Sequence, residues 1–231
     1  MGRSVIMRGN AAGAGDLPAG LRSRPLPVFG ATRYAVPFDL PSFVLSRATV
    51  RAFNSVYFHR HPKHARPALH GYGGFFYPLD GIREWNRIYG SAGFVQYQCV
   101  FPPGNAECCL SQMLTLLSRS GMSSFLGVLK RLGPAEPHQL LSFPMEGYTL
   151  ALDVPWRGAS LLGLLDRLDA LVIEHGGRVY LAKDARMSAR PLRRIYPLLG
   201  RWLEIKREVD PENVFTSDLS RRLGLEFEAE T

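Results

Sequence analysis

Lys183 closes a short apolar run, Val179, Tyr180, Leu181 and Ala182, and Asp184 and Arg186 follow at once. An ammonium at the end of a hydrophobic strand is costly to bury without a partner, so it marks a place where the strand opens onto a ligand, a cofactor or a counter-ion. The plainer alternative is a surface lysine paired with Asp184. A second set lies in the run from Phe94 to Phe101. On a strand, Val95, Tyr97, Cys99 and Phe101 point one way, and Gln96 and Gln98 point the other. Two amides on one face form a ladder of donors and acceptors suited to a polyhydroxyl ligand. A solvated face of an antiparallel sheet would carry the same pattern. Lys130 shares a face with Leu126, Val128 and Leu132, where a snorkelling surface lysine is the plainer reading. In the run 148–154, Thr149, Ala151 and Asp153 fall on one face.

Other chemistries find little support. His59, His61, His64 and His70 have no zinc spacing and sit in an Arg/Lys-rich stretch, which reads as a solvated loop with no metal site. Asp39, Glu84, Asp153 and Asp166 show no paired-carboxylate signature. GxSxG, P-loop and GxGxxG strings are absent, so hydrolase, NTPase and NAD readings have no foothold. Cys99, Cys108 and Cys109 are an odd number without ligand spacing, which favours a reducing compartment over a disulfide framework.

The elements that must position these residues follow from periodicity. Residues 9–37 are rich in Gly, Ala and Pro and read as a connecting segment. A helical pattern covers 39–54, and strand composition covers 94–101. A helix over 105–120 is stopped by Gly121, and strands follow at 124–132 and 148–154. An amphipathic helix spans 159–175, closed by Gly176 and Gly177, and a strand is expected over 178–183. Ser188 is placed to cap a helix running towards Val209 that Pro197 kinks or divides, and a short helix forms around 218–223. Strand, helix, strand, strand, helix, strand is the order of a ferredoxin-like α+β unit, an antiparallel sheet covered on one face by helices. Nothing in the sequence fixes the strand order.

With 231 residues and 46% hydrophobic content the chain can build a substantial core. No run reaches the ~18 apolar residues of a membrane span. The amino terminus lacks the apolar core of a signal peptide. A cytoplasmic location, or peripheral attachment to a membrane, is therefore expected. The formal charge of +8 is spread along the chain, consistent with a basic surface or a phosphorylated or membrane-surface substrate. An RNA-binding sheet would need basic residues and glycines interleaved with exposed aromatics, and GFVQYQCVF lacks them, so no nucleic-acid partner is expected.

Read in order, GRSVIMRGNA, FFYPLDGIREWNRIYG, GFVQYQCVFP, SSFLGVLKRLGP, LSFPMEGYTLALDVP, GGRVYLAKDAR and VDPENVFTSDLSRRL resemble the substrate-domain portion of the FAD-linked oxidases. Within that vanillyl-alcohol-oxidase-like superfamily they are most similar to the decaprenylphosphoryl-ribose oxidase group. The resemblance runs from Gly2 to about Leu225. It implies a FAD-dependent oxidoreductase acting on CH–OH groups. The substrate it implies is a lipid-linked or phosphorylated sugar, a polyprenyl-phosphate pentose or a related sugar or aldonolactone. It places Lys183 beside the flavin and substrate as the catalytic residue and Tyr180 by the flavin. Gln96, Gln98 and Lys130 then line the substrate pocket, with Arg87 at its entrance. By the same resemblance, residues 1–37 leave a flavin domain and 38–231 form the substrate domain with a carboxyl-terminal return segment. A flavin-binding domain or subunit and a reductase of an epimerase pair are the implied partners. Ala151 stands where mycobacterial-type members carry a pocket cysteine, and Thr149 where a nearby asparagine falls. The domain that holds most of the FAD is not recognisable in these residues. The alternative is a non-catalytic sugar-phosphate binding module, or a truncated fragment without activity of its own.

Overall fold

The computed structural model describes residues 5, 7–23, 25, 34–61, 68–77, 81–122, 124, 126–136 and 138–227. The chain divides into two compact units, Met1–Gly93 and Phe94–Thr231.

The first unit is built of short pieces: α1 (Ala19–Arg22), β1 (Tyr34–Ala35), α2 (Arg47–Arg60), α3 (Tyr72–Phe76) and β2 (Ile82–Arg83), with β1 and β2 paired in parallel. The helix expected over 39–54 starts later and ends later. Pro41 precedes a 3-10 turn, Ser42–Leu45, and the Ser46 hydroxyl then accepts from the Thr49 N–H at 3.3 Å, fixing the start of α2 at Arg47. The same shift puts His59 inside the last turn of α2, where its Nδ1 lies 2.7 Å from the Ser55 carbonyl oxygen. His61 Nδ1 lies 2.7 Å from the Tyr57 carbonyl oxygen, and His64 is outside the described residues.

The second unit is the ferredoxin-like α+β fold. It runs β3 (Phe94–Phe101), α4 (Ala106–Ser120), β4 (Gly127–Leu132), β5 (Gly147–Pro155), α5 (Ala159–Glu174) and β6 (Arg178–Val179), then α6 (Ala189–Ile195), α7 (Leu199–Val209) and α8 (Asp218–Leu223). The four strands form one antiparallel sheet in the order β4-β5-β3-β6. Tyr97, Cys99 and Phe101 of β3 and Leu150, Leu152 and Val154 of β5 are buried in a cluster with Met113 and Leu117 of α4 and Leu161, Leu165, Leu168 and Val172 of α5. Burying such side chains contributes about 1.5–3 kcal/mol each, which is why the apolar parity of the strands and the apolar stripe of the helices meet. Gly121, at φ 78, ends α4 in the left-handed conformation. Pro197 separates α6 from α7.

Gly177 is required by a close approach. A Cβ there would lie 2.5 Å from the Val100 carbonyl oxygen and 3.0 Å from the Val172 side chain, so α5 could not turn straight into β6 beside β3. Among the described residues no helix is long and apolar enough to cross a membrane.

Candidate functional site

The face of the sheet turned away from α4 and α5 is polar. Register makes it so: Gln96 lies opposite Asp153, Gln98 opposite Ala151, and Val100 opposite Thr149. On the far side of β5, Lys130 lies opposite Thr149 and Val128 opposite Ala151. Paired residues share a face, so Gln96, Gln98, Thr149, Ala151, Asp153, Val128 and Lys130 are all on the side that the apolar parity leaves over. Lys130 and Gln98 are two strands apart, about 10 Å at the usual strand spacing.

The amides on this face are oriented by their neighbours. Gln96 Nε2 donates to Asp153 Oδ1 at 2.9 Å, and Gln98 Nε2 donates to Thr149 Oγ1 at 3.0 Å. Thr149 and Asp153 are buried, the two glutamines are half-buried, and Lys130 is exposed. Burial pushes the Asp153 carboxyl above the usual carboxylate range, opposed by the Gln96 hydrogen bond and by the positive charge of Lys183.

Lys183 reaches this row because of strand direction. β6 runs antiparallel to β3, with Arg178 opposite Val100 and Val179 opposite Cys99. The Tyr180 N–H then donates to the Gln98 carbonyl at 2.8 Å, so the chain travels towards Gln96 and Asp153. The strand expected over 178–183 is correct only at its start: β6 ends at Val179 and Leu181–Lys183 form a 3-10 turn, closed by the Lys183 N–H on the Tyr180 carbonyl at 3.1 Å. One tertiary and one local contact accompany the break. The Tyr196 hydroxyl donates to the Val179 carbonyl at 2.8 Å, and the Asp184 carboxylate accepts from the N–H groups of Arg186 and Met187 at 3.2 and 3.0 Å. Strand alternation therefore does not set the direction of the Lys183 side chain.

The supposed Asp184 partner of Lys183 is engaged elsewhere, by Arg222 Nη1 at 2.7 Å. Among the described residues Lys183 forms no ion pair; the residue is half-buried, and its charge acts on Asp153 of the polar face. The Tyr180 ring packs on Phe143 with centroids 4.7 Å apart. Arg87 belongs to the first unit, where it pairs with Glu84 at 2.6 Å and donates to the Pro37 carbonyl at 2.8 Å.

Two buried carboxylates escaped the sequence reading. Asp153 was visible only as one member of a strand face; its partnership with Gln96 comes from a pairing across 57 residues. Asp169 lies on the buried side of α5, where it accepts from the Tyr97 hydroxyl at 2.9 Å and pairs with Arg186 at 2.7 Å. Burial raises both the Tyr97 and Asp169 values. Arg186 also holds Asp166 at 2.8 Å, so this network ties β3, α5 and the loop after Lys183 together on the helix side of the sheet. A shallow cavity of about 810 Å³ lies there, against Asp166, Asp169, Arg186 and Arg194. Its charged walls are largely spent on one another, and it opens away from the glutamine face.

The second unit is thus a βαββαβ sheet with an amide-bearing face, and a lysine without an ion pair among the described residues follows its last strand. Residues 161–223, from α5 to α8, match the family described as D-arabinono-1,4-lactone oxidase, and this stretch is similar to the carboxyl-terminal region of the FAD-linked oxidases. It is 37% identical over 225 residues to the decaprenylphosphoryl-beta-D-ribose oxidase of Mycolicibacterium smegmatis, a match covering 97% of this chain and 48% of that protein. It is 36% identical over 233 residues to an uncharacterized protein in the mprA 5' region of Streptomyces coelicolor, covering 97% of this chain and 62% of that protein. The chain thus spans about half, or somewhat more, of the length of these relatives.

Proposed function

We propose that this chain is the substrate-domain part of a FAD-dependent oxidoreductase that oxidises a sugar hydroxyl, on a polyprenyl-phosphate pentose or a related sugar or aldonolactone. The observation that carries the reading is the convergence of Gln96, Gln98 and Lys130 on one sheet face, with the chain after β6 leading Lys183 to the same row. When bound, FAD supplies the hydride acceptor. Its domain or subunit is taken to come from outside these 231 residues.

The residues fit such a cofactor on one observation: Lys183 offers an ammonium that no carboxylate of the described chain neutralises at contact distance. A fixed positive charge of this kind stabilises negative charge that develops in the reaction more than it stabilises the ground state. Tyr180 supplies a flat ring at the edge of the face. Gln96 and Gln98, oriented by Asp153 and Thr149, hold ring hydroxyls, and Lys130 supplies charge for a phosphate at the outer edge of the sheet.

The test is to supply the flavin domain, fused or co-expressed, and to follow flavin absorbance on rapid mixing with a polyprenyl-phosphoryl pentose, the same pentose without phosphate, and an aldonolactone. Bleaching by the phosphorylated pentose or the lactone is expected. Binding of these sugars with no bleaching by any of them would leave a non-catalytic binding module instead.

A further inference from the structure

Asp153 is in the interior strand of the sheet, 2% exposed, and only one of its carboxylate oxygens is satisfied. Oδ1 accepts from Gln96; Oδ2 is buried and has no hydrogen-bond partner. Leaving a buried acceptor unpaired costs about 1–3 kcal/mol, and more for a charged group, so native proteins do so rarely and such an oxygen calls for a donor from water or from a ligand. The nearby cation is Lys183, which acts on this carboxylate through space without forming an ion pair with it.

The chemistry of the arriving group follows from what is already committed. An ionised carboxylate only accepts, so the Gln96 amide turns its nitrogen to Asp153 and retains Oε1 as a further acceptor. Two acceptors, Asp153 Oδ2 and Gln96 Oε1, thus lie on this face, with the charge of Lys183 close enough to act on the carboxylate. An anion would be repelled by the first two. A hydroxyl fits Asp153 Oδ2 and Lys183 together, because it donates its one proton and accepts a hydrogen bond, leaving Gln96 Oε1 for a second hydroxyl.

We propose that Asp153 is the hydroxyl-selecting residue of this site: its Oδ2 accepts the hydrogen bond of one sugar hydroxyl, Gln96 holds the carboxylate in position, and Lys183 donates to the same hydroxyl oxygen. The proposal rests on the reading of the face as a sugar site and deepens it. It makes the hydroxyl that bridges Asp153 and Lys183 the one most strongly required of the ligand.

The experiment uses the full 231-residue chain with carboxyl-labelled aspartate and labelled glutamine side-chain amides. The probes are β-D-ribofuranosyl 1-phosphate and its singly deoxygenated analogues. The parent sugar is expected to shift the Gln96 and Gln98 amide signals and to move the Asp153 carboxyl titration to lower pH, since a donated hydrogen bond favours the charged form. One deoxy analogue should fail to move that titration and should bind about tenfold to a hundredfold more weakly. Asp153→Asn should weaken the parent sugar by a similar factor. If that variant does not fold, the titration in the unsubstituted chain decides alone. Amide shifts without any movement of the Asp153 titration would overturn the proposal and leave the sugar site standing, as would equal movement with every deoxy analogue. No amide shift at tens of millimolar sugar would overturn the sugar site and the proposal together.

Discussion

Asp184 and Arg222 are 38 residues apart in sequence and 2.7 Å apart in space. Arg222 also donates to the carbonyl oxygens of Asp184 and Met187. One guanidinium from α8 thereby clamps the loop that follows Lys183, and Asp184 answers by accepting the N–H groups of Arg186 and Met187. The KDAR and LSRRL strings are two halves of one device, and its effect is to set where the Lys183 turn ends.

Arg222→Ala should therefore do more than lower stability. Asp184 keeps its two backbone donors, and Arg222 is partly exposed, so a loss of about 2 kcal/mol is expected rather than the 3–5 of a fully buried pair. Urea unfolding measures this. Hydrogen exchange should show the amides of 183–187 opening far more readily than those of β3. Uniform protection across both segments would remove the clamp.

Lys183→Ala should slow flavin reduction about a hundredfold once a flavin domain is supplied, corresponding to ~3 kcal/mol for one electrostatic contact at the reacting group. The fold should persist, because Lys183 lies outside the core and forms no ion pair among the described residues. Lys183→Arg should restore only part of the rate, since a planar fork does not replace a compact ammonium. Rapid-mixing spectroscopy reads both variants, and an unchanged rate in the alanine variant would return Lys183 to the surface.

Asp153 should lower stability while it serves binding. Its folded carboxyl value is raised above the ordinary 3.8 by burial. The folded state then binds the proton more tightly than the unfolded one, so stability falls as pH rises from 3.8 through the folded value and stays lower above it. Asp153→Asn removes that dependence and should unfold at higher urea than the unsubstituted chain at pH 7. The two should converge in acid. A less stable variant at pH 7 would contradict the burial argument.

Asp210 has the opposite sign. The Lys206 ammonium, 2.5 Å away, and the N–H groups of Val214 and Phe215 hold its carboxyl below the usual range. Its contribution is fully present above 3.8 and is lost as pH falls through the folded value. Asp210→Asn should be less stable than the unsubstituted chain at neutral pH, and the gap should close in strong acid. Thermal melts between pH 7 and pH 2 follow this directly.

Local periodicity alone determined most of the second unit. The alternation in Phe94–Phe101, the stripe of α5 and the Gly121 stop each depend on residues within a few positions of one another, and the structure keeps all three. The same alternation put Gln96 and Gln98 on a face separate from the core. The α+β class followed from element order. What the sequence did not contain was strand order, because β4, β5, β3 and β6 are assembled by pairings across tens of residues, and several orders would bury the same apolar parities. The turn at Lys183 was beyond it for a related reason: Val179, Tyr180 and Leu181 alternate well enough for a strand, and the Tyr196 hydroxyl on Val179 and the Arg222 clamp on Asp184 are contacts across tens of residues. Asp153 gained its meaning last. A carboxylate on a strand face is unremarkable until register sets it against Gln96, buries it and leaves one oxygen without a donor.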